Sequence, residues 1–238
     1  MSSFSFPITV DVHDVDFNGA CRPSSLLRYI QSSAQMQLNE NGMSYNELYQ
    51  NRHRAFLLSR ITVEFYEEAR EGDRLIAETF PVPSRGYSFL RCYQLWREDR
   101  IIGRAISAWA LIDTDERRLV RTTDFDLPLE HLPKLDLELL HIRIPSEARR
   151  IGEYTVTYSE VDQNRHMNNT RYADMYAHFL PMENKRIASL TISYMKEAPF
   201  GTTLQVLYAE VDGVHYFRTV LPNGEINSEA RIVLCELN

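Results

Sequence analysis

Residues 61–72 read Ile-Thr-Val-Glu-Phe-Tyr-Glu-Glu-Ala-Arg-Glu-Gly, and residues 190–201 read Leu-Thr-Ile-Ser-Tyr-Met-Lys-Glu-Ala-Pro-Phe-Gly. The offset is a constant 129 residues (61 to 190). Thr, Glu, Ala and Gly coincide, and the apolar positions alternate in step, which is the period of a half-buried strand. Two further echoes keep the same order: Asp16-Phe17-Asn18 with Asp162-Gln163-Asn164, and Phe89-Leu90-Arg91 with Tyr216-Phe217-Arg218. Each echo is weak alone. Their common order predicts two copies of one unit rather than one long domain.

Each copy reads alike. A short strand comes first, near 6–13 and 153–159. A helix follows, because Leu27, Ile30, Ala34 and Leu38 in one copy and Tyr172, Met175, Tyr176 and Phe179 in the other fall at helical spacing. Alternating strands come next, near 54–67, 74–82, 87–97 and 100–113, against 186–197, 203–211, 214–221 and 226–237. Asn223-Gly224 marks a hairpin between the last two. One helix stripe and one apolar sheet face per unit bury each other if the sheet curls around the helix. The expected architecture is therefore α+β, two tandem hot-dog units packed as a pseudo-dimer, each an antiparallel sheet wrapped around one long helix. The expected boundaries are 1–127 for the N-terminal unit, 128–150 for an interdomain linker and 151–238 for the C-terminal unit. Pro128, Pro133 and Pro145 among charged residues mark the crossing, which has room for short helical pieces.

Composition narrows the function classes. The 238 residues are 44% hydrophobic and 25% charged, which is ordinary globular usage rather than a disordered or coiled-coil chain. A net charge of −7 argues against nucleic acid as a partner. The longest apolar run, near Ala105–Ile112, is too short to insert in a membrane, and the N-terminus shows no signal peptide. Cys21, Cys92 and Cys235 lie far apart without a C-x-x-C, which fits a reducing cytoplasm and no zinc site. There is no G-x-S-x-G elbow, no phosphate-binding glycine loop and no H-E-x-x-H, so neither a metal nor a nucleotide cofactor is expected.

The chemistry concentrates in Val161-Asp162-Gln163-Asn164-Arg165-His166-Met167-Asn168-Asn169-Thr170-Arg171-Tyr172. Polar residues crowd the start of a helix, where Asn168 or Asn169 can cap and where free N–H groups can polarise a carbonyl. Asp162, Asn164 and His166 alternate, so an extended stretch would turn all three side chains to one side. Capping alone also accounts for Asp162, Asn168 and Asn169. Glu197 closes its strand, and Glu68 holds the matching place in the first copy.

This segment resembles the D-x-N-x-H-V-N-N-x-x-Y signature of the acyl-acyl-carrier-protein thioesterases, and Thr191–Ala198 is similar to the later strand of that family. The resemblance covers about 5–238. It implies hydrolysis of fatty acyl-[acyl carrier protein] to free fatty acid, in fatty acid biosynthesis, with Asp162, Asn164, His166 and Glu197 at the catalytic positions. Ala198 stands where plant members carry Cys, which disfavours a thiol nucleophile and favours water activated by Glu197. Asn164 and His166 would position water and substrate, Asp162 would orient Asn164 or the helix start, and Asn168 and Asn169 would lie at the thioester carbonyl. In related single-unit enzymes an aspartate is the base or nucleophile, so the roles of Asp162 and Glu197 are open to exchange. No leader segment is visible, which fits a bacterial member rather than a plastid precursor. The only prosthetic group implied is the phosphopantetheine arm on the substrate. The implied partner is an acidic, transiently bound acyl carrier protein, with Arg165, Arg171, Lys185 and Arg186 nearest the motif to receive it; the protein itself would be a monomer or homodimer. Rival readings are an acyl-CoA thioesterase, a hot-dog hydratase or dehydratase, and a non-enzymatic lipid binder. In the first copy Ala20 stands in place of His166, and Arg22-Pro23 in place of Asn168-Asn169, which predicts one active site per chain.

Overall fold

The computed structural model describes residues 3–237. In chain order its elements are β1 (Phe4–Thr9), α1 (Pro23–Glu40), β2 (Arg54–Phe65), β3 (Arg74–Pro81), β4 (Ser88–Arg97), β5 (Arg100–Asp113) and β6 (Arg118–Val120). Then come β7 (Arg149–Thr155), α2 (Arg171–Ala177), β8 (Lys185–Tyr194), β9 (Thr203–Val211), β10 (Val214–Val220) and β11 (Ile226–Glu236). All eleven strands share one antiparallel sheet in the order β1-β3-β4-β5-β2-β8-β11-β10-β9-β7, with β6 on β5. Read from either end, that order runs through corresponding strands. The halves meet at β2 and β8, the two segments whose repeat was read first. There Thr62 pairs with its own counterpart Thr191, and the buried hydroxyls lie 3.1 Å apart.

The third echo slips. Tyr93 pairs with Thr79, whereas Phe217 pairs with Tyr208, the residue 129 positions beyond Thr79. The register therefore equates Phe217 with Tyr93, both fully buried, and not with Leu90. The slip from Leu90 to Tyr93 is an odd one that exchanges the sheet faces, so chemical likeness over three strand residues does not fix a register.

Helix α1 begins at Pro23, whose missing N–H costs nothing at the first helical position. It buries Leu26, Leu27, Ile30 and Ala34 against the sheet and stops where Gly42 takes a positive φ. Helix α2 has only seven residues, so the expectation of a long helix in each half holds for α1 alone. Pro181 disfavours helical backbone just before it, and the chain tightens into bonds from Phe179 N to Tyr176 O and from Leu180 N to Ala177 O. Aromatic bulk fills the space a longer helix would take. Tyr176 packs on Phe217 at 5.0 Å between ring centres, and Tyr172 packs edge-on to Tyr194 at 5.3 Å. The tyrosine hydroxyls are matched: Tyr176 bonds Ser228, and Asn227 donates to Tyr172.

The stretch between the halves forms no α-helix. After β6 and a single 3-10 turn at Thr122–Asp124 it runs extended, and Arg149 and Arg150, expected in the linker, open β7. It is a strap rather than a loose tether. Leu132, Leu135, Leu137 and Leu139 pack on Phe80, Val82, Cys92 and Ile106 across the sheet face opposite α1. Leu140 N donates to Thr62 Oγ1 at the central seam. No helix among the described residues is long and apolar enough to cross a membrane.

Candidate active site

The segment from Asp162 to His166 is a tight turn, not the extended stretch expected from its alternation. Asp162 Oδ1 accepts from Asn164 N at 2.8 Å, Arg165 N donates to Asp162 O, and Asp162 N donates to His166 O. Arg165 takes a φ of 65°, a left-handed position that the turn imposes. The carboxylate of Asp162 is thus engaged by its own turn, the usual role of an aspartate in this position. The turn is pinned to the chain leaving β8 by Met167 N donating to Ala198 O and by a bridge between His166 and Pro199. This brings His166 Nδ1 to 3.1 Å from Glu197 Oε2. Glu197 is held from behind: Asn227 O accepts from the N–H groups of Met195 and Lys196, and Asn227 Nδ2 donates to Lys196 O. Its own side chain is 62% exposed, so water reaches the pair. Asn164 is contacted from the other half, where Tyr45 in the long 41–53 connection donates to its Oδ1 at 3.3 Å.

Asn168 caps the turn into α2, its Oδ1 accepting from Thr170 N and Oγ1. Arg171 N donates to Asn168 O and Tyr194 donates to Asn169 O. The first N–H groups of the short helix are therefore already engaged. Asn168 and Thr170 line a polar cleft completed by Ser24, Arg22, Arg28 and Arg171. The cleft shares Gln31, Gln35 and Trp109 with a second, largely apolar cavity beneath α1. That cavity holds about 810 Å³, its open mouth included, between Ala34, Leu38, Leu48, Phe56 and Phe89.

The equivalent side chains in the first half are tied to partners. Asp16 Oδ1 accepts from Asn18 N and Gly19 takes the positive φ, so the turn is repeated. Asn18 Nδ2, however, donates to Met182 O and Lys185 O, and its Oδ1 accepts from Asn184 N. Glu68 is only 12% exposed, ion-paired to Arg70 at 2.9 Å and to Arg186 at 3.7 Å. Burial by itself would raise its pKa, but hydrogen bonds and the Arg70 and Arg186 charges outweigh that and hold it below the ordinary value.

Of the basic residues nearest the motif, Arg186 is occupied by Phe65 O and Tyr66 O, and Lys185 lies 3.9 Å from Glu236. Arg165 is exposed on the turn, and Arg171 reaches the cleft. Arg22 and Arg28 come to the same cleft from the first half, and sequence reading missed them. The available signal was a helix start carrying arginine and no acid in its first turn, the reverse of what the helix dipole favours. No cysteine joins the site, and burial pushes the Cys21 thiol up to about 12 and raises Cys92.

Known proteins resemble this chain along most of its length. The model of the acyl-ACP thioesterase N-terminal domain matches residues 2–126, and that of the C-terminal domain matches residues 144–233. The oleoyl-acyl carrier protein thioesterase of Coriandrum sativum chloroplasts is 25% identical over 67% of this chain. The match spans about half, 48%, of that curated relative's length. Among solved structures, an acyl-ACP thioesterase from Bacteroides thetaiotaomicron VPI-5482 superimposes with a TM-score of 0.89 at 20% identity, covering 98% of both chains. The 12:0-ACP thioesterase of Umbellularia californica gives 0.81 at 18%, covering 98% of this chain and 97% of its own. At these identities the structural matches establish the hot-dog-like fold.

Proposed function

The chain belongs to the acyl-ACP thioesterase family, and on that premise we propose that it hydrolyses fatty acyl-[acyl carrier protein] to free fatty acid and holo-carrier protein. The observation that carries the reading is the His166–Glu197 pair, 3.1 Å apart with Glu197 open to water and His166 two residues along the chain from Asn168, which lines a polar cleft that shares residues with an apolar cavity. Glu197 takes a proton from water as it attacks the thioester carbonyl carbon. The carbon–sulfur bond then breaks, and the departing sulfur receives a proton as the arm's thiol. His166 orients Glu197 and the water, and Asn164 positions the substrate. The Asn168 side chain and the Asn169 N–H lie at the thioester carbonyl and polarise it. That Asp162 spends its carboxylate within the turn favours Glu197 over Asp162 as base.

The phosphopantetheine arm enters through the polar cleft, and the acyl chain lies in the cavity under α1. Arg22 and Arg171 at the cleft, with Arg28 paired there to Asp14, supply the basic groups for an acidic carrier protein. The mirrored strand order and the Thr62–Thr191 contact support two tandem hot-dog units, near 1–127 and 151–238, packed as a pseudo-dimer and strapped by the segment between. The clamped Asn18 and the ion-paired Glu68 support one active site per chain, in the C-terminal unit. A cytoplasmic setting fits the three free cysteines.

Turnover of an acyl-[acyl carrier protein] series of varied chain length, by wild type and by Glu197→Gln and His166→Ala, tests the reading. Loss of about 10²–10⁴-fold in both variants is expected. Near-full turnover by both would overturn the assignment, and equal efficiency on acyl-CoA at low salt would shift the donor to coenzyme A.

A further inference from the structure

The cavity under α1 is not a plain hydrocarbon slot. Arg91, on β4, lines it at 6% exposure. One terminal nitrogen, Nη1, donates to Gln37 Oε1 and to Thr79 Oγ1, both neutral acceptors. The charged groups lining the same cavity are Arg54, which is already paired with Asp113, and His131; among the described residues no aspartate or glutamate lines it. The nearest titratable neighbours, Tyr93 and Cys92, are held neutral, because burial raises both. A guanidinium has five N–H donors and does not give up its proton in proteins. Among the described residues Arg91 is therefore a buried cation without a counter-ion, at the wall of a largely apolar space. Such a charge is costly unless something supplies the missing acceptor.

Its place along the cavity is informative. Gln31 belongs to both the polar cleft and the cavity, whereas Arg91 meets the helix at Gln37. Six helical residues advance about 9 Å. The guanidinium thus lies on the cavity side of Gln31 and Gln35, the helix residues shared with the cleft, where the acyl chain rather than the thioester would run. Gln31 Nε2 is itself buried without a hydrogen-bond partner, so the cavity is furnished with donors before the chain reaches Arg91.

The geometry points to an acyl group bearing an acceptor oxygen, a hydroxyl or a carboxylate, on its distal part as the preferred substrate, with Arg91 as the residue that recognises it. This rests on the thioester-hydrolase reading above. An unsubstituted chain laid on Arg91 excludes water from the guanidinium and offers nothing in return. An oxygenated chain of the same length replaces the lost water.

The test compares kcat/KM for three acyl groups of equal length on acyl carrier protein: unsubstituted, with a distal hydroxyl, and with a terminal carboxyl. One of the oxygenated substrates is expected to exceed the unsubstituted one by about tenfold to a hundredfold, the worth of one hydrogen bond to a charged donor. Arg91→Met should bring the ratio close to one, and Arg91→Lys should keep part of it. Preference for the unsubstituted chain, or an unchanged ratio in a folded Arg91→Met, overturns the proposal. Binding of the free acids to Glu197→Gln protein gives a second readout that needs neither turnover nor an Arg91 variant: the oxygenated acid should bind more tightly, and equal binding overturns the proposal. If no acyl thioester is cleaved, the hydrolase reading fails while this binding comparison still decides the inference.

Discussion

Glu197 and Glu68 occupy equivalent places, and replacing each by glutamine should separate chemistry from stability. Glu197 is 62% exposed and its pairing with His166 is a surface contact, the kind that contributes about 0–1 kcal/mol. Glu197→Gln should therefore leave the melting temperature nearly unchanged while lowering kcat by about 10²–10⁴-fold. Glu68→Gln should do the opposite. Arg186 is itself 13% exposed, its Nε is buried without a hydrogen-bond partner, and Glu68 is the carboxylate beside it. Removing that charge leaves a poorly compensated cation, at a cost of about 1–3 kcal/mol. For a chain of this size each kcal/mol lowers the melting temperature by roughly 2–4 °C, so a loss of about 2–12 °C is expected. The pH dependence has a definite sign. The folded state holds the Glu68 pKa below its ordinary value of 4.5, so its stabilisation is complete above that value and is lost as pH falls through the lower one. The gap in melting temperature between wild type and Glu68→Gln should be widest near neutrality and narrow as the pH falls below 4.5. Thermal melts from pH 7 to pH 3, beside turnover of acyl-[acyl carrier protein], measure both halves. A folded Glu68→Gln as inactive as Glu197→Gln, or a gap that does not narrow between pH 7 and pH 3, would refute the asymmetry.

Three other outcomes are expected. Asn227→Leu removes a fully buried amide that holds Lys196 O, Tyr172 and Thr219, and should cost about 2–4 kcal/mol in chemical denaturation while also lowering kcat, since Lys196 sets the backbone of Glu197. Ala55→Phe narrows the cavity under α1 and should move the preferred acyl length downward, read from the product distribution on mixed-length substrates. Added salt should lower kcat/KM for acyl-[acyl carrier protein] by screening Arg22, Arg28 and Arg171, with little effect on the same acyl group on coenzyme A.

The strands were legible because alternation reports burial directly, and the repeat at 61–72 and 190–201 named the two strands that meet at the centre of the sheet. The turn at Asp162 was within reach of the sequence but not taken from it. Its counterpart places Gly19 after Asn18, and an aspartate two residues before an asparagine and glycine is turn chemistry. Arg165 hides that signal by occupying the same left-handed position without being glycine. The contributions of Tyr45, Gln31 and Arg91 were out of reach for a different reason. A cavity wall is assembled from residues far apart in the chain, and the 41–53 connection has no apolar period to announce where it folds back.

That connection is also where the two halves part company. Both helices lead back to a central strand, β2 or β8, and each return crosses the turn of the opposite half. After α2 the return is short, and it clamps Asn18 through Met182, Asn184 and Lys185. After the eighteen-residue α1 it is long, winds through Glu47–Asn51, and reaches Asn164 through a single tyrosine hydroxyl. The long return stands away from the sheet, with Tyr45 and Leu48 as one wall of the cavity and Phe56 and Phe89 as the other. The short one leaves no such gap, and Tyr176 and Phe217 fill the space under α2. The same turn, repeated in both halves, is therefore met at Asn164 by one hydroxyl from the wall of an acyl-sized space and at Asn18 by three backbone bonds. The deciding difference lies in the length of chain after each helix rather than in the sheet.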